Sequence, residues 1–247
     1  LVGVAGLLLG LIGVYFFQQY ALGASPYHGP VPVIDTRSAA TAVDRVRAVN
    51  CATTPCLALT FDDGPNSVVT PQILTALEHA HARATFFVVG MRVPGNEAIV
   101  QRMYTDGDEI GNHSWNHPDL TKLTANQVRD QFNRTQLAVM AAGVPAPTLF
   151  RPPYGAVNAT VRSQIPVTLA LWNVDPEDWK STNPNQIADR IVSQAKPGRV
   201  VDLHDIYAPT AQSLPLLLDR LKAHYQLVTV SELFNLGPGQ RGEYFGR

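Results

Sequence analysis

From residue 57 onward, short apolar runs alternate with longer stretches in which apolar residues recur at helical spacing. Residues 57–61, 84–89, 109–111, 148–150, 168–172, 199–203 and 227–230 are brief, apolar and bounded by turn residues, which predicts strands. Residues 70–77, a stretch after Pro94, 124–143, 185–195 and 211–224 predict helices. Thr70 before Pro71 predicts an N-cap followed by proline at the first helical position. In 124–143, Thr124 is the expected cap, Val128, Phe132 and Leu137 form the apolar face, and Gly143 ends the helix. Strands alternating with helices predict a parallel sheet with helices outside it, and seven strand runs predict a barrel or near-barrel. Residues 237–247 read as a flexible tail.

The chain ahead of this pattern is different. Residues 1–24 are almost continuously apolar, and the first Asp, Glu, Lys or Arg is Asp35. A helix needs ~20 apolar residues to cross a bilayer, whereas a cleaved signal has an apolar core of ~7–15. We therefore expect an N-terminal hydrophobic helix that anchors the protein in the cell membrane, ahead of the alternative of a signal segment that is cleaved to secrete it. Residues 25–50 read as an extracytoplasmic linker, with a short helix over 38–49, and residues 51–236 as the catalytic domain. Cys51 and Cys56, close together in an exported chain, predict a disulfide. Two cysteines alone make a poor zinc site.

Composition narrows the class. With 19 Lys+Arg against 20 Asp+Glu, the chain lacks the basic excess of a nucleic-acid binder. Its 45% hydrophobic content argues against disorder, and 19 prolines with 16% charged residues argue against a coiled coil. No protein partner is implied.

Chemistry-bearing residues gather at the C-terminal ends of the predicted strands, the rim where parallel α/β barrels place their reactions. Asp62 and Asp63 follow the first strand, His113 and His117 the third, Arg151 and Tyr154 the fourth, Asp175, Asp178 and Trp179 the fifth, and His204 and Asp205 the sixth. Asp63, His113 and His117 form a ligand set for one divalent ion, with positions left open for water and substrate. Zinc is the first choice, and cobalt, manganese or nickel are alternatives. Adjacent side chains diverge, so Asp62 is left as a free base. Arg151 pairs with a carboxylate and keeps the base ionised and oriented. The Tyr154 backbone N–H is a candidate oxyanion donor. His204 is the candidate acid, with Asp178 and Asp175 as possible partners. Trp179 and Leu203 are candidates to wall a small apolar pocket. Asp202, inside a strand, has no evident role.

Thr60-Phe61-Asp62-Asp63-Gly64-Pro65, His113-Ser114-Trp115-Asn116-His117, Arg151-Pro152-Pro153-Tyr154, Asp175-Pro176-Glu177-Asp178-Trp179 and Leu203-His204-Asp205 resemble the five ordered motifs of the polysaccharide deacetylases, carbohydrate esterase family 4. The resemblance runs from about residue 57 to 230. It implies a distorted (β/α)7 barrel and metal-dependent removal of acetyl from N-acetylated sugars. By it, Asp62 is the base, Asp63, His113 and His117 are ligands, Arg151 orients Asp62, and Tyr154 serves the oxyanion. His204 is then the acid aided by Asp178, while Trp179 and Leu203 hold the acetyl methyl. Asp202 departs from the pattern, which has an apolar residue there. The expected substrate is an extracytoplasmic polysaccharide, peptidoglycan N-acetylglucosamine first. Chitooligosaccharide or poly-N-acetylglucosamine and O-acetylated xylan are alternatives, and a non-catalytic glycan-binding protein is the reading from another class.

Overall fold

The computed structural model describes residues 49–237 and 239–244. The chain divides into two compact units, Leu1–Val46 and Arg47–Arg247. The first unit, with the predicted membrane segment and most of the linker, lies outside the described residues. Among the described residues no helix is long and apolar enough to cross a membrane.

The elements of the second unit run β1 (Cys56–Asp62), α1 (Val69–His79), β2 (Thr85–Val88), α2 (Glu97–Thr105), β3 (Glu109–Asn112), α3 (Ala125–Ala141), β4 (Leu149–Phe150) and α4 (Ala159–Gln164). They continue with β5 (Thr168–Ala170), α5 (Pro184–Gln194), β6 (Val200–His204), α6 (Ala208–Lys222), β7 (Gln226–Leu227), α7 (Val230–Phe234) and β8 (Glu243–Tyr244). The strands are parallel in the order β6-β1-β2-β3-β4-β5-β8, with β7 paired to β1. Beyond β5 the chain touches β6 again at the isolated bridge Val174–Val201. The sheet thus curls into the distorted barrel expected from the sequence, and that bridge marks its seam.

Period-two alternation sorts the strand residues. Leu57, Leu59 and Phe61 of β1 and Val201 and Leu203 of β6 pack with Ile73 and Leu77 of α1, Ile191 of α5 and Leu214 and Leu217 of α6. Each such side chain, fully buried, contributes about 1.5–3 kcal/mol. The intervening positions Thr60 and Asp62 on β1 lie opposite Asp202 and His204 on β6. They present a polar column on the other face.

Four local expectations differ from the structure. Residues 227–230 do not form one strand, because Thr229 and Glu232 make a capping box that starts α7 at Val230. Thr70 is not the N-cap of α1. Asn66 Oδ1 accepts from the Val68 and Val69 N–H groups instead, and the Thr70 hydroxyl donates to Asp205 Oδ2 at 2.5 Å. In α3 the Thr124–Gln127 capping box and buried Val128 and Phe132 match expectation, but Leu137 is exposed and Val139 takes the inward position. The segment read as a flexible tail supplies β8, which pairs with β5 through Leu169–Glu243 and Ala170–Tyr244. The Cys51–Cys56 disulfide is formed.

Candidate active site

The turn after β1 aims two adjacent carboxylates in different directions. Asp63 adopts a left-handed φ of 74°. Gly64 follows because space allows nothing larger: a Cβ there would lie 2.0 Å from Asp205 Oδ2. His113 leaves β3 with its backbone N–H donating to the Val88 carbonyl at 2.9 Å. His117, also left-handed at φ 61°, is held by its N–H to Ser114 Oγ at 3.1 Å.

These turns bring Asp63, His113 and His117 together. Their ligand atoms lie within 4.8 Å of one another. His117 Nε2 is 3.3 Å and His113 Nε2 3.7 Å from Asp63 Oδ1, and that oxygen is buried without a hydrogen-bond partner. Leaving a buried acceptor unsatisfied is unfavourable, and a cation at this point would remove the penalty. The tautomer of His113 agrees. Its Nδ1 is 2.7 Å from the Arg151 carbonyl, which can only accept, so Nδ1 carries the hydrogen and Nε2 presents a lone pair. Burial pushes the His113 pKa down to about 3, keeping the ring neutral. The residues therefore fit a divalent ion, with two imidazoles and one carboxylate as the donor set.

Asp62 stands beside this cluster. Its Oδ1 accepts from Arg151 Nη1 at 2.8 Å, while Oδ2 lies 3.5 Å from His113 Nε2. Burial raises its pKa, and the Arg151 charge opposes the rise. Arg151 is fully buried. It also donates to Thr60 Oγ1, to Asp202 Oδ1 and to the carbonyls of Ala170 and Leu171. Its guanidinium carbon rests 4.1 Å from the Phe87 ring centroid. Asp202 is buried too, and desolvation, then the charge of Asp62, raise its pKa well above the ordinary carboxylate range.

On the other side, His204 ends β6 opposite Asp62. Its Nδ1 is 2.8 Å from Asp178 Oδ1. Asp178 Oδ2 accepts from the His204 N–H at 2.9 Å and from the Thr210 hydroxyl at 2.6 Å. Burial works against the charged imidazole, but the Asp178 hydrogen bond and charge, joined by the charges of Asp202 and Asp62, outweigh it and raise the pKa to about 10. The choice between the two aspartates is thereby decided in geometry. Asp175 Oδ1 accepts from the Glu177 N–H at 2.8 Å and shapes the loop.

Tyr154 holds a left-handed φ of 61° and sets its exposed ring edge-on to His117, 4.7 Å between centroids. Trp179 is half exposed, with Lys180 Nζ 4.5 Å from its ring centroid. Leu203 corrects an expectation. Its side chain sits fully buried in the cluster between sheet and helices, on the face of β6 opposite Asp202 and His204, because neighbouring strand residues point to opposite sides. Sequence reasoning missed Thr60 and Thr210, whose hydroxyls complete the Arg151 and Asp178 networks. Thr60 opens the first quoted motif and has a period-two relation to Asp62, the signals that could have found it.

A family model described as polysaccharide deacetylase matches residues 50–166. A peptidoglycan-N-acetylglucosamine deacetylase of Bacillus cereus is 37% identical over 190 residues, covering 72% of this chain and 87% of that protein. The chain belongs to the polysaccharide deacetylase family. Another polysaccharide deacetylase relative, the peptidoglycan-N-acetylmuramic acid deacetylase PdaC of Bacillus subtilis, is 47% identical over 178 residues, 72% of this chain. The match spans only 38% of that protein's length. The solved PdaC structure superposes with a TM-score of 0.73 at 45% identity, covering 76% of this chain and 93% of that one. A family 4 acetyl xylan esterase from Clostridium thermocellum, solved in complex with cobalt, gives a TM-score of 0.70 at 32% identity, covering 75% and 97%.

Proposed function

We propose that this polysaccharide deacetylase hydrolyses the acetamido group of N-acetylated sugars in an extracytoplasmic polysaccharide, peptidoglycan N-acetylglucosamine first, releasing acetate and a free amino sugar. The observation that carries the reading is the unpartnered Asp63 Oδ1, set between two imidazole Nε2 atoms and beside an Asp62 that Arg151 holds. Asp63, His113 and His117 would hold one divalent ion, zinc as first choice, which when bound acidifies a water and polarises the acetyl carbonyl.

The chain's own groups supply the rest. Asp62 takes the proton of the attacking water through Oδ2, its Oδ1 being fixed by Arg151. The Tyr154 N–H donates to the oxyanion that develops on the acetyl carbon's oxygen. His204, kept protonated by Asp178, gives its proton to the departing nitrogen. Trp179 offers an exposed ring to the sugar. With Leu203 turned away, the methyl pocket has one wall fewer than the motifs imply.

The same machinery would cleave an O-acetyl ester, a better leaving group. The similarity to an acetyl xylan esterase supports that as the second reading. Export is supported by the Cys51–Cys56 disulfide, a bond of oxidising compartments. The apolar segment over 1–24 would then tether the domain outside the cell membrane through the 25–50 linker. Acetate release from cell-wall glycan, chitin oligomers and acetylated xylan tests the proposal. Release from the N-acetylated substrates is expected, and ester cleavage without any amine formation would overturn it.

A further inference from the structure

Asp202 is a buried acid that the reaction outlined above leaves without a task. It stands beside Thr60 in the β1–β6 register and shares a strand face with His204. The donor account of Arg151 shows what it does. Nη1 carries two hydrogens, yet three oxygens lie within reach: Thr60 Oγ1 at 2.7 Å, Asp62 Oδ1 at 2.8 Å and Asp202 Oδ1 at 2.8 Å. The Thr60 hydroxyl hydrogen is committed to the Val201 carbonyl at 2.6 Å, so Thr60 relieves nothing. Nε is committed to the Ala170 carbonyl at 2.9 Å, whereas Nη2 meets that of Leu171 at 3.3 Å with one of its two hydrogens, which leaves the other for a second bond to Asp62.

An arginine left with one carboxylate favours the fork, two parallel bonds to both oxygens. On Asp62 that fork would occupy Oδ1 and Oδ2 alike. The structure shows a single-point contact instead, Nη1 to Oδ1, with Oδ2 turned towards His113. We propose that Asp202 is a positioning residue: by occupying Nη1 from β6 it holds Arg151 in a one-point grip on Asp62 and leaves Asp62 Oδ2 free to take a proton. The inference rests on the reading of Asp62 as the base.

Asp202→Val removes the acceptor in a side chain of similar shape, and Asp202→Ala removes it in a smaller one. Asp202→Asn keeps an oxygen in place. In the apolar variants kcat on chitin oligomers falls by about tenfold or more, a part of what a general base contributes, while KM and metal content hold. Asp202→Asn recovers most of the loss. Crystal structures of the apolar variants show both Asp62 oxygens within hydrogen-bond distance of Arg151. Thermal melts establish folding, and Asp202→Ala carries the test if Asp202→Val does not fold. An apolar variant as fast as its parent, an Asn variant as slow as the apolar ones, or an Asp62 Oδ2 still unbound in the crystal overturns the proposal. If the unaltered protein releases no acetate from any substrate, it is the base reading that fails, and the crystal structures still decide what Asp202 does to Arg151.

Discussion

Replacing Asp178 by Asn tests the acid directly. The substitution keeps the size of the side chain but removes the negative charge 2.8 Å from His204 Nδ1. Raising an imidazole from its ordinary 6.5 to about 10 corresponds to roughly 5 kcal/mol in favour of the charged ring, at 1.36 kcal/mol per pKa unit. Without Asp178 the burial of the ring is opposed only by the charges of Asp202 and Asp62, and its pKa falls. Acetate release measured from pH 5 to 10.5 should show kcat lower by about 10²–10⁴. The alkaline limb should move from near pH 10 in the parent to lower pH in the variant. Stability follows the same group. The folded pKa lies above the unfolded one, so the contribution is complete below about pH 6.5 and is lost as pH rises towards 10. The parent's melting temperature falls through that window and the variant's falls less. A variant with parental kcat and an unmoved alkaline limb would refute the assignment of His204 as an acid charged by Asp178.

Other outcomes follow from the same geometry. Asp62→Asn abolishes acetate release while metal content, measured by elemental analysis, stays near the parental value; full activity in that variant removes Asp62 as the base. Exhaustive chelation stops acetate release, and added zinc or cobalt restores it; activity that survives stripping excludes the Asp63, His113 and His117 site from the reaction. Gly64→Ala forces a methyl into the space of the Asp205 carboxylate, 2.0 Å away, and destabilises by about 1–3 kcal/mol. Calorimetry would show this as a lower melting temperature together with weaker metal retention.

The barrel and most of the site were readable because both follow from short-range rules. Apolar runs bounded by turns marked the strands, and parallel strands place their following loops on one rim. That put Asp62, Asp63, His113, His117, Arg151 and His204 in one neighbourhood. What stayed hidden depended on the third dimension. The partner of His204 was undecided because Asp175 and Asp178 sit in one loop, and only the fold shows one turned to Glu177 and the other to His204. Leu203 was misplaced although the period of two separates it from His204 on the same strand. β8 could not be anticipated, since a two-residue strand in a Gly- and Pro-containing stretch has no pattern of its own and exists through its pairing with β5.

The seam of the barrel divides the labour of the site. The residues gathered around Asp63 descend from β1, β3 and the loop beyond it, inside the continuous run of paired strands. Asp178 hangs instead from the stretch between β5 and β6, where the bridge at Val174 and Val201 joins the edges. A change in the length or shape of that stretch would fall outside the strands that carry Asp63, His113 and His117, so one flank of the site could be altered with those three residues left in place.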